Sequence, residues 1–137
     1  MEYLLEYKIS IIVIGLVGLL MLTQLVIVDV IAIKMKHVPG YPIESNHNKF
    51  HFRASRAHLN TNESITIFVL FLCFSFLSSA SATIVNYCSL AYLFSRLGHM
   101  IFYYFDLKVA RSVSFSISLL SLLVLFLSSF VEFLAEL

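Results

Sequence analysis

Four long apolar stretches follow one another along the chain, and each can cross a bilayer as a helix. A hydrocarbon core about 30 Å thick needs roughly 20 apolar helical residues. On that basis the sequence predicts spans at about residues 9–33, 60–79, 82–105 and 112–133. Composition agrees, because 60% of the residues are hydrophobic and 12% are charged, whereas soluble domains average about 45–50% and about 25%. We therefore expect an all-α integral membrane protein, with residues 1–137 forming one compact helical domain.

Helix-breaking residues mark the connections between these spans. Two prolines and a glycine end the first helix at 38–42, small polar residues form a turn at 78–81, and a short polar stretch at 106–108 precedes the last span. The first span follows Glu2 and Glu6 and has no small-residue cleavage site behind it. We expect it to be kept as a span and not removed as a signal peptide.

Basic residues concentrate in two of the three connections. They are Lys34, Lys36, Lys49, Arg53 and Arg56 in the first connection, and Lys108 and Arg111 in the third. Because short cytoplasmic loops carry an excess of Lys and Arg, we expect both of these connections to face the cytoplasm. The two termini would then lie on the opposite side, and their acidic residues are Glu2, Glu6, Glu132 and Glu136.

The charge balance and the cysteines argue against several kinds of function. The formal net charge is +1, and orientation already explains where the basic residues lie, so we expect no nucleic-acid binding. Cys73 and Cys88 lie in or near apolar segments, without CxxC spacing or a pattern of metal-ligand partners. The prediction is two buried structural thiols, no disulfide and no metal site.

A polar stripe opens the second predicted span. Arg53, Arg56, Asn60 and Glu63 are three, four and three residues apart, which at about 100° per residue puts them on one face of a helix. An apolar run follows Glu63 almost directly, and a carboxylate inside a membrane is costly unless it is paired. We interpret the stripe as functional. The alternative is basic residues at the headgroups and polar groups that satisfy one another between helices.

The third span repeats this spacing in its later half, where the two stripes can meet. The second stripe consists of Arg96, His99, Tyr103 and Asp106. An intramembrane arginine needs a partner, and Glu63 or Asp29 could supply one. We expect Arg96 to be chiefly structural and His99 and Tyr103 to line a pocket. Taken singly, these two would instead be a packing histidine and an interfacial tyrosine.

Arg111 and Ser112 open the fourth span on the same side of the membrane. A guanidinium, a hydroxyl and a helix N-terminus together favour anions, although either residue alone could be an arginine reaching the headgroups or a serine capping the helix. The combined groups fit a small, multiply charged, water-soluble ligand that has carboxylates and an ammonium, with an apolar second substrate on the lipid side. Transport fits less well, because no ionisable residue continues a path through the outer halves of spans two to four.

These residues carry a family resemblance. Segment 53–63 reads RASRAHLNTNE, and it is followed by RLGH at 96–99, by Tyr103 and by the pair Arg111-Ser112. The sequence resembles the MAPEG family, the membrane-associated proteins in eicosanoid and glutathione metabolism, and especially its microsomal glutathione transferase and prostaglandin E synthase branches. The similarity runs from about Lys34 to the end, while the first span matches in hydropathy and position only. The short loops resemble bacterial members, which implies a bacterial inner membrane or its equivalent.

The resemblance implies a four-helix bundle assembled as a homotrimer, with glutathione bound between neighbouring subunits near the cytoplasmic surface. The residues that it implies for glutathione binding are Lys34, Arg56, Asn60, Glu63, His99 and Tyr103. Arg111 is the implied thiolate-stabilising arginine, and Ser112 is the neighbouring hydroxyl of the catalytic pair. The implied function is a glutathione transferase or peroxidase that delivers the thiolate to a lipophilic electrophile or hydroperoxide from the bilayer.

Three departures separate the sequence from the prostaglandin synthase branch. Phe115 stands where that branch has a tyrosine, Lys34 stands where an arginine is usual, and the connection from Tyr103 to Arg111 is one residue shorter. These differences weigh against prostaglandin synthesis more than against glutathione binding. The alternative function is a non-catalytic lipid-binding or scaffold protein on the same fold, similar to the five-lipoxygenase-activating member.

Overall fold

The computed structural model describes residues 2–135, so Glu136 of the predicted acidic C-terminus lies outside the described residues. These residues form five helices: α1 (Glu2–Glu6), α2 (Lys8–Lys34), α3 (Phe50–Leu77), α4 (Ala82–Tyr104) and α5 (Lys108–Ala135). No strand occurs within residues 2–135. The all-α prediction is confirmed.

Three of the four long helices, α2, α3 and α5, are long and apolar enough to cross a membrane. Helix α4 has 23 residues but is not among these candidates. Asn86, Arg96 and His99 all lie on it, and such residues lower its mean hydropathy. Three of the four predicted spans therefore correspond to apolar helices of sufficient length.

Two helices begin earlier than the predicted spans. Helix α3 begins at Phe50, whereas the apolar run predicted a span from about residue 60. Helix α5 begins at Lys108 and not at Ser112. Hydropathy marks where a helix enters lipid, but Arg, Lys and Asn are compatible with a helix, so the helices continue beyond the apolar runs. The whole first stripe consequently lies on α3.

The predicted breaks coincide with turns that use the left-handed backbone region. Gly40 has φ +85° between α2 and α3, Ser79 has φ +49° between α3 and α4, and Asp106 has φ +55° between α4 and α5. Glycine adopts such a conformation without steric cost, and short polar residues tolerate it better than branched ones do. The three breaks are where the sequence predicts them.

Helix α4 lies at the centre of the packing and contacts α2, α3 and α5. The ring of Tyr92 stacks on Phe68 of α3 with centroids 4.2 Å apart, and its hydroxyl lies 2.7 Å from Ser64 Oγ. Large apolar side chains such as Leu70 and Leu123 remain exposed. An apolar exterior of this kind suits contact with lipid.

A network of hydrogen bonds joins the beginning of α2 to the beginning of α4. Ser10 donates through its backbone N–H (3.0 Å) and its hydroxyl (2.8 Å) to Asn86 Oδ1. The Asn86 amide in turn donates to the Glu6 carbonyl at 2.8 Å, and Ser89 Oγ donates to Ser10 Oγ at 3.0 Å. Tyr7, which separates α1 from α2, donates to the Ala80 carbonyl. The polar groups of this cluster are thus satisfied within the chain.

The two cysteines are both free thiols, but only Cys88 is buried. Cys73 is exposed on α3, so its predicted burial is wrong. Its neighbours Leu72 and Ser75 belong to the buried face of that helix, and Cys73 lies off this face. Hydropathy cannot separate the two cases, because a lipid-facing position in a membrane helix is as apolar as a core position.

Candidate functional site

Helices α3, α4 and α5 enclose a cavity of about 330 Å³. Five of the predicted site residues line it: Asn60, His99, Tyr103, Arg111 and Ser112. The cavity lies where the later half of α4 meets the first turns of α5, with Asn60 contributed by α3. The structure thus brings members of both polar stripes together with the start of the last helix.

His99 and Tyr103 occupy successive turns on the buried face of α4. Their rings meet edge to face with centroids 4.9 Å apart. His99 is only 2% exposed, and its Nδ1 has no hydrogen-bond partner among the described residues. Gly98 allows α5 to come close beside them, since a Cβ at this position would lie 3.2 Å from Ser114 Oγ.

Arg111 is held against Tyr103. Its guanidinium carbon lies 4.4 Å from the centre of the Tyr103 ring, a distance at which cation and ring attract each other. Its Nη1 is buried and has no hydrogen-bond partner in the described part of the chain. The stacked ring therefore fixes the guanidinium while leaving an N–H free for a ligand.

Ser112 does not cap α5, because the helix already begins at Lys108. Its hydroxyl donates to the Lys108 carbonyl at 3.1 Å, within the first turn. The capping alternative for this residue is therefore wrong.

Three predicted binding residues lie outside the cavity lining. Arg56 is half-buried on α3, and its carbonyl accepts a hydrogen bond of 3.0 Å from the Asn60 amide. Glu63 is exposed on the same helix, and Lys34 is exposed at the end of α2, a helix that contributes no lining residue. The three residues are thus not gathered into the cavity within a single chain.

The predicted ion pair of Arg96 is absent from the described residues. Arg96 is completely buried, and its three guanidinium nitrogens have no hydrogen-bond partner there. Its guanidinium carbon lies 5.6 Å from the Tyr92 ring centre and 5.4 Å from that of Phe115. The predicted pairing with Glu63 or Asp29 is wrong, since the one ion pair among residues 2–135 joins Lys49 to Glu44.

Arg53, the first member of the α3 stripe, has a structural role. Its guanidinium donates to the His47 carbonyl at 2.6 Å and to the Tyr104 carbonyl at 3.3 Å. It thereby ties the α2–α3 connection to the end of α4. Arg53 does not line the cavity that Asn60 of the same stripe lines.

Comparison with known proteins adds a second kind of observation. The model of the MAPEG family matches residues 10–131, which is most of the chain. The chain belongs to the MAPEG family. The family includes glutathione transferases, synthases and non-catalytic members. No curated protein matches the sequence individually. MAPEG membership and three apolar helices together identify an integral membrane protein.

Two lining residues of this MAPEG protein, Phe115 and Ser116, were not predicted as site residues. Phe115 was noted only as a departure from one branch of the family. The helical period contains the missing signal, because positions 115 and 116 lie about one turn after Arg111 and Ser112. Phe115 forms the apolar part of the wall and lies 6.0 Å from His99 between ring centroids.

The electrostatic character of the MAPEG cavity is cationic. Arg111 lines it directly, and Arg96 lies behind Phe115. None of the described residues that line the cavity is acidic. A polar concavity with fixed positive charge and unpartnered N–H groups is suited to an anionic, water-soluble ligand.

Proposed function

We propose that this MAPEG protein is a membrane-bound glutathione transferase or glutathione-dependent peroxidase. The observation that carries the proposal is the convergence of Asn60, His99, Tyr103, Arg111 and Ser112 on one cavity. These residues come from three helices, and all five are among those that the family resemblance implies for the glutathione site. A set that served packing only would have no reason to surround an open space.

Glutathione matches the chemistry of this cavity. It carries two carboxylates, one ammonium and a thiol, and the cavity offers Arg111 as a fixed cation with a free N–H. Asn60 and Tyr103 add hydrogen-bonding groups to the wall. Arg56 and Glu63 lie on the same helix as Asn60 but outside the cavity lining, and they would bind the outer carboxylate and the ammonium of a ligand that extends beyond the cavity.

Arg111 would act by stabilising the thiolate, which is the reactive form of the thiol. In conjugation the thiolate sulfur forms a bond to the electrophilic carbon, and the leaving group departs with its electron pair. In peroxide reduction the thiolate sulfur attacks the terminal oxygen, the O–O bond breaks, and the alkoxide takes a proton from water and leaves as an alcohol, while the first glutathione becomes a sulfenic acid. The thiol of a second glutathione then attacks that sulfur, which forms the disulfide and releases the oxygen as water. The apolar second substrate would approach past Phe115 from the lipid side.

The assembled form that we propose is a homotrimer of four-span chains. Helix α4 would be the fourth span, because it packs between the three apolar helices and buries its polar face against them. In a trimer, Lys34 of a neighbouring copy would reach a site that α2 of the same chain leaves unlined. The basic connections would face the cytoplasm, with both termini opposite.

An ultraviolet difference titration with glutathione tests the proposal. The purified protein is titrated near neutral pH, and the thiolate absorbance is followed in the wild type, Arg111→Ala and Lys108→Ala. Lys108 is an exposed cation in the same first turn of α5 but does not line the cavity, so it is the matched control. We expect the thiolate signal in the wild type and Lys108→Ala and its loss in Arg111→Ala.

Failure has a clear form. If the well-folded wild type neither binds glutathione nor produces a thiolate signal, the enzyme proposal is wrong and the non-catalytic lipid-binding scaffold becomes the leading function. If Lys108→Ala loses the signal to the same degree as Arg111→Ala, the effect is general electrostatics, and the role of Arg111 fails.

A further inference from the structure

We propose that the protein has a second ligand site, which binds a primary ammonium group carried on an apolar body. The site is a cavity of about 390 Å³ between the last turns of α2, the α2–α3 connection and the beginning of α3. It shares no lining residue with the cavity of the proposed active site. Its polar lining residues are Asp29, His37 and His51.

Asp29 supplies the negative charge of this second site. It lies in the last turns of α2, near the end of a long apolar run, where a carboxylate is costly unless a cation accompanies it. Among residues 2–135 no Lys or Arg forms an ion pair with Asp29, and none lines the cavity. Asp29 is exposed at this end of α2, and the described part of the chain supplies no counter-charge for it.

The two histidines add ring nitrogens to the lining of this second site. His37 Nε2 lies 3.1 Å from the Tyr41 carbonyl, and a carbonyl can only accept, so Nε2 carries the hydrogen and neutral His37 keeps a lone pair on Nδ1. His51 packs edge to face on His37 with centroids 5.3 Å apart. It is 4% exposed, and its Nε2 has no partner among the described residues.

A carboxylate, with the Nδ1 lone pair of neutral His37 in the same cavity lining, selects a cation that has N–H donors. A metal ion fits less well, because no group of three or more His, Cys, Asp or Glu side chains within residues 2–135 has the geometry to hold one. A primary ammonium has three N–H donors and one positive charge. The remaining walls, which include Val28, Ala32 and Ile43, would contact an apolar body.

Two sources can provide such a group: the headgroup of an ethanolamine phospholipid or a soluble alkylamine. The cavity lies where the apolar run of α2 ends at Lys34, which is the depth expected for headgroups. A neighbouring cavity of about 210 Å³ shares His37 and His51 and adds Lys49. In that neighbouring cavity Lys49 is paired with Glu44, which also lines it. The recognition that we propose therefore rests on the ammonium beside Asp29, and a phosphate on the Lys49 side would replace Glu44 as the partner of Lys49.

Native mass spectrometry of the purified full chain measures this preference. The protein is reconstituted in nanodiscs that contain equal amounts of ethanolamine and choline phospholipids of the same acyl chains, and the lipids retained after release are counted. Choline has no N–H donor, so it is the matched control lipid. Hexylammonium and hexyltrimethylammonium, added separately, test the soluble source. Wild type is compared with Asp29→Asn, Asp29→Glu and Asp106→Asn, the last being an acidic residue outside the cavity.

We expect wild type, Asp29→Glu and Asp106→Asn to retain the ethanolamine lipid over the choline lipid by about tenfold, the ratio expected for one charged hydrogen bond. Asp29→Asn should remove the preference. Binding of hexylammonium over hexyltrimethylammonium without a lipid preference would assign the site to a soluble amine. If the wild type does not prefer a primary ammonium over a trimethylammonium in either the lipid or the soluble amine, the proposal is wrong. The proposal is also wrong if folded Asp29→Asn keeps the preference. Neither result bears on glutathione binding.

Discussion

Two polar clusters lie toward opposite ends of α4, and they differ in how their groups are satisfied. Near the beginning of the helix, Asn86 and Ser89 are hydrogen-bonded to Ser10 of α2. Near its end, Arg96 and His99 are buried with nitrogens that have no partner among the described residues. Both clusters place polar side chains among apolar helices. The first completes its hydrogen bonds within one chain, whereas the second leaves groups available for something outside it.

This difference separates a structural polar cluster from a functional one. Buried polar groups in native proteins are nearly always paired, and the cost of an unpaired group rises in a membrane. A chain that satisfies one cluster fully has the means to satisfy the other. The unpartnered ring nitrogen of His99 and the unpartnered Nη1 of Arg111 therefore point to a ligand, ordered water or a neighbouring copy as their hydrogen-bond partner.

We expect the greatest loss of activity from removing Arg111, in the cluster near the end of α4. Arg111→Ala should lower the rate of glutathione conjugation by about 10²-fold or more, as removal of a single charge-stabilising donor does in other enzymes. Its melting temperature in detergent should hardly change, because the guanidinium makes no hydrogen bond that folding depends on. A steady-state assay with an aryl halide, alongside thermal unfolding, separates the two effects. Equal losses of activity and stability would contradict this division.

The next effect breaks the structural cluster. Asn86→Ala removes the acceptor that satisfies the Ser10 backbone N–H in the first turn of α2 and the donor to the Glu6 carbonyl. We expect a loss of about 1–3 kcal/mol in the free energy of unfolding, seen as a lower melting temperature. The thiolate signal per folded molecule should be unchanged. Asn62→Ala, at an exposed position of α3, is the control that should leave both quantities unaltered.

A third prediction concerns Arg96, the buried arginine that has no hydrogen-bond partner among the described residues. Replacing a buried unpaired charge with an apolar side chain of similar length is often neutral or stabilising, and here the loss of two cation–π contacts partly offsets the gain. Arg96→Met should therefore raise the free energy of unfolding by about 1 kcal/mol while weakening glutathione binding, and Arg96→Lys should do neither. Destabilisation by several kcal/mol in detergent would mean that the assembled protein gives Arg96 a partner.

The smallest effect concerns the surface pair in the α2–α3 connection. The Lys49 ammonium bonds to Glu44 and holds the pKa of that carboxyl below its usual range, with a smaller contribution from Asn46. A lowered folded-state pKa adds stability above the unfolded value, and this is lost as the pH falls through the folded value. Lys49→Met should raise the Glu44 pKa toward its ordinary value, as followed by carboxyl NMR. Lys36→Met should leave it unchanged, and an unmoved pKa in Lys49→Met would refute the pairing.

The sequence predicted the features that depend on one helix at a time. The three-four-three spacing placed His99 and Tyr103 on one face of α4, and the structure has them on its buried face. The breaks at Gly40, Ser79 and Asp106 followed from residue types that permit left-handed backbone. Helical periodicity and turn chemistry are local properties, so a single sequence contains them.

Features that depend on the choice of neighbour could not be predicted in the same way. Spacing placed Arg96 on the inner face but did not reveal that aromatic rings, and not Asp29, would surround it. The sequence predicts burial for Cys73 because a lipid-facing position and a core position have the same hydropathy. Lys34 and Glu63 lie outside the cavity lining, because the spacing of residues along one helix does not fix which other helices that face contacts.

The hydrogen bond from Ser112 to the Lys108 carbonyl affects which of Ser112 and Arg111 can donate a hydrogen bond to a ligand in the cavity. A hydroxyl that donates its one hydrogen to its own helix can offer a ligand only its lone pairs, and lone pairs repel a thiolate sulfur. To donate a hydrogen bond to a thiolate, the Ser112 hydroxyl would first have to break its bond to the Lys108 carbonyl and rotate. Arg111 Nη1 has no hydrogen-bond partner among the described residues, so it would donate to a thiolate without first breaking another bond.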